Sequence, residues 1–266
     1  METGSTMKYA RKITSCPAAL VSVLLATMVC CCSCGQSSQR GQQHSEKIRV
    51  VVVTAGHGFK EAPFFAIFES CDDIEYVEAK QQDDSEIFED ISGWDYDVIV
   101  LYNMTQKISP KRREHFTSLL NRGVGLVALH HSIGAFQHWP EYRKIIGGRY
   151  YLEEMEEDGV MHGKSDYKHD LNIAVHITDK RHPIARRMKD FVIYDEAYKK
   201  CVFEKDNHVL LTTNHPAGDG PLCWVRGYGR ARVCYIQLGH GSEAYANENY
   251  RRLVSRAIRW SAGRLN

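Results

Sequence analysis

The chain lacks the signatures that most readily announce a function. No G-x-G-x-x-G opens a helix, which argues against a dinucleotide site, and no H-E-x-x-H places two zinc-binding histidines on one helical face. His130-His131-Ser132-Ile133-Gly134 lacks the first glycine of G-x-S-x-G, which makes room for a tight nucleophile elbow. The formal net charge is only +1, and no basic stripe carries interleaved aromatics, so nucleic acid is not an expected partner. No internal repeat is visible. The longest apolar run near the start, Ala18 to Val29, is too short to span a bilayer.

That run is flanked in a recognisable way. Lys8, Arg11 and Lys12 precede it, and Cys30, Cys31, Cys32, Ser33, Cys34 and Gly35 follow. A basic segment, an apolar segment and small residues form a secretion signal. The cysteines make it resemble a bacterial lipoprotein signal, in which one cysteine is lipidated and becomes the new N-terminus. Small Ser33 before and Gly35 after favour Cys34; Cys32 is the alternative, as are an ordinary cleaved signal and a start at Met7. The expected organisation is a signal over residues 1–34, a Gln- and Ser-rich tether over 35–46 and one domain over 47–266. The expected location is the cell envelope, on the periplasmic or cell-surface side, with a lipid anchor in the membrane.

Four cysteines remain in the body: Cys71, Cys201, Cys223 and Cys234. None forms a C-x-x-C pair, so a zinc ribbon is not expected. Export permits disulfides. Hairpin arms around Tyr228-Gly229 would set Cys223 opposite Cys234, either as a bridge or, the preferred reading, as two buried thiols. The acidic run Glu153 to Asp158 reads as a solvated loop.

The body alternates strands and helices. Ile48 to Thr54 is almost continuously β-branched, as a strand buried on both faces should be. A helix follows from Ala62 to Ser70, then strands at Ile74 to Ala79 and Asp97 to Tyr102. Ser109-Pro110 caps and opens a helix whose apolar side is Phe116, Leu119 and Leu120, and Gly123 closes it. Gly125 to Leu129 is a fourth strand. This succession predicts an α/β domain with a doubly wound, mostly parallel sheet. Beyond it come a short helix from Pro140 to Gly147-Gly148, strands at Leu171 to Ile177 and His208 to Thr213, a short helix begun by His182-Pro183, the hairpin from Cys223 to Leu238, and a final helix. That helix turns Tyr250, Leu253, Val254, Ala257 and Ile258 inward and its arginines outward.

Five polar clusters punctuate this pattern: Gly56-His57-Gly58, His130-His131, Tyr167-Lys168-His169-Asp170, Tyr194-Asp195-Glu196-Ala197-Tyr198, and Gly239-His240-Gly241. Singly, each fits a structural role; Asp195 can cap a turn, and Asp170 can orient His169. Together they say more. His57, His131 and His240 each sit beside glycine or a turn where a strand ends. Parallel strands would bring all three to the carboxyl edge of the sheet, where open α/β sheets bind ligands. Imidazoles with carboxylates support acid–base catalysis, and two or three histidines with a glutamate make a zinc-type set. Tyr102, Trp139, Tyr198, Trp224 and Tyr228 offer flat faces for a sugar ring or for core packing.

The ordered segments Thr54-Ala55-Gly56-His57, Ala128 to Phe136, Ile146-Gly147-Gly148-Arg149-Tyr150, His182-Pro183, Asp195-Glu196-Ala197-Tyr198, Trp224 to Val233, Leu238-Gly239-His240 and Ala257-Ile258-Arg259-Trp260 resemble the ThuA-like (trehalose-utilisation) family, from about Ile48 to the end. The resemblance implies a flavodoxin-like, class I glutamine-amidotransferase-like three-layer sandwich without the amidotransferase cysteine. It also implies disaccharide chemistry through keto-sugars made by a partner dehydrogenase. A longer acidic segment after Gly148 leaves two candidates, His169 and His162, for the family's histidine beyond the Gly-Gly turn; we take His169.

The resulting expectation is a carbohydrate site. His131 and Glu196 are the acid–base pair. His57, His130, Asp195, Tyr198, Arg226 and His240 bind substrate, and His169 contributes to a divalent-metal site such as zinc. The chemistry would be isomerisation, epimerisation or elimination of a keto-sugar, or metal-dependent hydrolysis of a glycoside. The alternative is a non-catalytic carbohydrate-binding lipoprotein that feeds an uptake system.

Overall fold

The computed structural model describes residues 46–82 and 84–266. The proposed signal and Cys34 lie outside them. In chain order the elements are β1 (Ile48–Ala55), α1 (Glu61–Glu69), β2 (Ile74–Lys80), β3 (Val98–Asn103), α2 (Pro110–Arg122), β4 (Gly125–Leu129), α3 (Pro140–Ile146), β5 (Gly148–Arg149), β6 (Met155–Glu157), β7 (Val160–His162), β8 (Asp166–Ile177), β9 (Phe191–Lys199), β10 (Val202–Phe203), β11 (His208–Thr212), β12 (Pro221–Tyr228), β13 (Ala231–Ile236), α4 (Ser242–Ala246) and α5 (Glu248–Ser261).

One nine-stranded sheet carries the fold, in the order β2-β1-β3-β4-β13-β12-β11-β8-β9. The first five of these strands run parallel, and the last four alternate antiparallel, so β11 and β9 again point the same way as β4. Helices cover both faces. Val50 and Val52 point into a core shared with α1, α4 and α5, whereas Val51 and Val53 point into one shared with α2 and α3. The unbroken β-branched sequence of β1 follows from this double burial, because successive side chains enter opposite cores. The boundaries of α2 are chemical: the Ser109 hydroxyl accepts from the Arg112 N–H at 3.4 Å, proline takes the first turn, and Gly123 ends the helix at φ 99°. The helix α5 is capped by the Asn247 side chain, which accepts from the backbone of Asn249 and Tyr250, and it buries the expected apolar stripe.

Four local expectations are corrected. The Glu153 to Asp158 run is solvated at Glu153, Glu154, Glu156 and Asp158, but it is not all loop: Met155–Glu157 pairs with β7 in a hairpin, and Glu157 is buried, accepting from Arg143 Nη1 at 2.9 Å and from the Tyr151 hydroxyl at 2.6 Å. A charged stretch here carries a structural ion pair, which composition does not separate from a wet loop. His182-Pro183 lies in turns, not a helix. The hairpin turn is one residue later than expected, at Gly229-Arg230, because Gly229 takes φ 54°. That shifts the register by two, so Cys223 faces Ile236, and the two sulfurs lie diagonally 3.9 Å apart as free buried thiols. Finally, Tyr194 to Tyr198 is not a capping turn but the second half of β9, which sequence reading missed.

Candidate active site

The parallel half of the sheet delivers three of the five clusters to one edge. His57 follows β1, His130 and His131 follow β4 in a 3₁₀ turn, and His240 follows β13. Two glycines make this possible. At Gly56 (φ 74°) an added Cβ would sit 2.5 Å from the Met104 carbonyl carbon, and at Gly239 (φ 113°) it would strike the Tyr250 hydroxyl. Any side chain there would push His57 or His240 out of place.

The antiparallel half supplies the carboxylates. Successive residues of β9 face opposite ways, so Glu196 and Tyr198 share the side facing the histidines while Asp195 points the other way. Across from Glu196, β8 bulges: Lys168 pairs with Ala197 and Leu171 with Asp195, leaving His169 and Asp170 opposite a single residue. A bulge re-aims side chains, and this one sets His169 Nδ1 3.7 Å from Glu196 Oε1, with its ring 4.5 Å from that of His240. His162 instead stacks on Tyr151.

His130 is the hub. Its φ of 49° is left-handed, an unfavourable conformation for a residue other than glycine, and it marks the sharp exit from β4. Nδ1 lies 2.6 Å from the Gln237 carbonyl oxygen, which can only accept, so Nδ1 carries the proton. Nε2 then faces Tyr198 Oη at 2.9 Å, Glu196 Oε2 at 3.0 Å and His240 Nδ1 at 3.1 Å. His240 Nδ1 is 2.8 Å from the same carboxylate oxygen. Burial alone would raise Glu196, but hydrogen bonds from His130 and His240 outweigh it and hold the carboxyl well below its usual range. The hydrogen bond to Glu196 in turn raises His240, against the effect of burial.

Asp195 does not reach the cleft. Its oxygens accept from the Gly239 N–H at 2.7 Å and from the His240 and Glu196 N–H groups at 2.9 Å each. It ties β9 to the loop that carries His240; burial nevertheless outweighs these donors and leaves its carboxyl raised.

His131 contrasts with its neighbour. It is 4 % exposed, and neither ring nitrogen makes a hydrogen bond of ordinary geometry. Its ring is packed between His57, stacked at 4.5 Å, and Tyr102 at 4.4 Å. Burial first, then the charges on His130 and His57, hold its pKa well below the ordinary imidazole value. His57 is lowered in the same way, chiefly by burial and by His130.

His57, His131, His169, Glu196 and Tyr198 line a cleft of about 230 Å³, together with Met104, Ile133, Gly134, Leu152, Tyr150 and Tyr167; His130 and His240 are not among its lining residues and reach it through Glu196. Small-molecule pockets run from roughly 300 Å³ upward, so the enclosed part is small and would take a compact ligand. Sequence reading missed Met104, Tyr150 and Leu152 as site residues, and named Tyr167 only as a member of a polar cluster. Met104 directly follows β3, so the strand-end rule would have found it, and Tyr150 belongs to the Gly-Gly-Arg-Tyr segment.

The structure does not bring Arg226 to this group. It lies near the amino end of the neighbouring parallel strands, paired through β13 with the start of β4, and its guanidinium binds Asn207 at 2.9 Å and Asp206 at 3.1 Å. Trp139 and Trp224 are core residues, and the Tyr228 hydroxyl binds Glu141. Of the aromatics considered for sugar stacking, Tyr198 lines the cleft, and Tyr102 lies behind His131.

The donor set fits a divalent cation. His130 Nε2, His240 Nδ1 and a Glu196 oxygen converge, and His130 donates its other nitrogen to a backbone carbonyl, as metal-bound histidines do. A tetrahedral zinc with bonds of about 2.0–2.1 Å sets its ligand atoms roughly 3.3 Å apart, so slight outward shifts would admit it. His169 is not among the three converging ligands; it stands beside them.

A family model described as trehalose utilisation matches residues 49–261. The chain belongs to the ThuA family. Similar solved structures include a ThuA-like protein from Parabacteroides merdae, at 20% identity and TM-score 0.69 over 83% of this chain and 92% of that one. Another, from Bacteroides uniformis, has 22% identity and TM-score 0.58 over 82% and 92%. PurLQS from Thermotoga maritima aligns at 14% identity and TM-score 0.52 over 80% and 99%. These similarities show the glutamine-amidotransferase-like fold. No curated protein matches the sequence.

Proposed function

We propose that this ThuA-family protein is an exported enzyme that acts on an oxidised sugar or glycoside by proton transfer in the cleft. The observation that carries the reading is His131, a buried imidazole at the cleft wall whose nitrogens make no ordinary hydrogen bond and whose neutral form is favoured. A free buried nitrogen is costly unless a ligand uses it.

In this reading a keto-sugar ring enters beside Tyr150, Tyr167 and Tyr198. His131 takes the proton from the carbon next to the ketone; the C–H electron pair forms the new C=C bond and the ketone π pair moves onto its oxygen. Proton return to the other face inverts the carbon. Proton return elsewhere isomerises the sugar, and expulsion of a glycosidic oxygen eliminates the aglycone. A divalent cation on His130, Glu196 and His240 would stabilise negative charge developing on the substrate oxygen. Glu196 is thus better suited as a ligand than as the base, since a carboxylate of depressed pKa is a weak proton acceptor.

The test is incubation of the protein with glycosides and their 3-keto forms, with and without chelator. The proposal expects conversion of the keto forms. Conversion restricted to the unoxidised glycoside and stopped by chelator would instead support hydrolysis by a metal-bound water. Binding without conversion would support a carbohydrate-binding lipoprotein.

A further inference from the structure

A second feature lies away from the cleft, on the outer side of α5 and the segment joining β8 to β9. Arg186, Arg187 and Arg252 are exposed, and Arg256 is half-buried between them. Arg256 Nη1 donates to the Ile184 and Arg186 carbonyl oxygens, which pins it to that segment. Its pKa is lowered, first by burial and then by the charges on Arg252, Arg186, Arg187 and Arg259. Arg186 Nη2 donates to the Asn266 main-chain oxygen at 3.3 Å, whereas among the described residues none of Arg187, Arg252 and Arg256 has an Asp or Glu carboxylate within ion-pair distance. Asp73, Asp179 and Asp190 on neighbouring segments are engaged by Arg259, by Arg181 with His208, and by His176. Crowded like charges repel one another, and an anion beside them would relieve that repulsion.

The position of this face suggests the anion. The folded chain begins at β1, where the Ile48 N–H donates to the Asp73 carbonyl at 2.9 Å, and the Asp73 carboxylate accepts from Arg259 of α5 at 2.7 Å. The arginine face therefore adjoins the point where residues 35–46 join the body. Those twelve residues can span no more than roughly 40 Å. The cleft lies at the opposite, carboxyl edge of the sheet.

We propose that the arginine face of α5 and the β8–β9 segment rests on the anionic headgroups of a lipid bilayer, orienting the body so that the cleft opens away from the membrane. Each basic residue near an anionic surface strengthens association by roughly fivefold. The proposal does not depend on the chemistry of the cleft.

The test uses the full chain and vesicles of phosphatidylcholine, alone or mixed with phosphatidylglycerol. The native chain is compared with a triple variant, Arg186→Gln, Arg187→Gln, Arg252→Gln, and with the corresponding Glu triple; circular dichroism checks the fold of each. The N-terminal segment is common to all, so differences report the arginine face. The native protein should prefer the anionic vesicles on the order of tenfold or more, the Gln triple should lose most of that preference, and high salt should abolish it. A Gln triple that keeps the native preference would overturn the proposal. So would capture of the native chain by a soluble acidic polysaccharide with no preference for anionic vesicles, which would make the partner a glycan.

Discussion

The floor and the wall of the cleft rest on adjacent residues with opposite surroundings: His130 lies beneath Glu196, which lines the cleft, and His131 lines it directly. On the floor, His130 is saturated: a carbonyl, a phenol, a carboxylate and a second imidazole surround its two nitrogens. On the wall, His131 makes none of those bonds; its ring is packed between His57 and Tyr102, and its one polar backbone neighbour is that of Tyr102. A saturated, charge-balanced floor is what holding a cation requires. An unbonded neutral imidazole is what proton abstraction requires. The left-handed exit from β4 gives two adjacent buried rings different surroundings.

Separating the two roles experimentally sharpens this contrast. The largest effect should come from the wall: His131→Ala should lower kcat on a keto-sugar by about 10²–10⁴-fold while metal content stays native, as measured by turnover and elemental analysis. Glu196→Gln should show the reverse emphasis, losing metal affinity by about 10–100-fold or more, read by zinc titration. If both variants lost metal and turnover equally, floor and wall would be one unit.

The pH dependence offers a smaller, signed test. His131 has a folded-state pKa below that of the unfolded chain, so the folded protein binds fewer protons there and stability should fall as pH drops below about 6.5. His240 is raised, so its ion pair stabilises fully below about 6.5 and is lost as pH rises through its folded value. Denaturation midpoints of native, His131→Asn and His240→Asn proteins against pH should therefore diverge in opposite directions. The acid limb of kcat, set by His131, should lie below the ordinary histidine value.

Two weaker effects bound the site. Asp195→Ala strips the acceptor from three backbone N–H groups and should cost about 2 kcal/mol of stability, with turnover falling because the His240 loop is released. Arg226→Ala, at the other end of the strands, should leave turnover within twofold and cost about 1 kcal/mol. A large catalytic loss at Arg226 would show that the cleft extends where the structure places none of it.

The parallel half of the fold was legible because it obeys local rules. Doubly buried β1, the Ser109 cap and Gly123 stop of α2, and histidines beside Gly56, Gly134 and Gly239 each announce themselves within a few residues. Convergence at one edge followed from strand direction alone. The antiparallel half was less legible. Asp195 to Tyr198 is buried on both faces and begins with two carboxylates, so it shows no period-two alternation, and β9 was missed although Asp195 and Glu196 were singled out. Arg226 sat in a recognisable segment, but direction along β12, not sequence, decides which edge it occupies. The distinct roles of His130 and His131 depend on a backbone torsion that residue identity does not reveal.

The most direct trial of the account is solvent deuterium exchange into a 3-keto-glycoside, followed by NMR, with native protein and with His131→Ala. The account predicts deuterium at the carbon beside the ketone with native protein and exchange reduced to the uncatalysed level with the variant. Native protein that binds the keto-sugar without promoting exchange, or a variant that exchanges as fast as native, would contradict it.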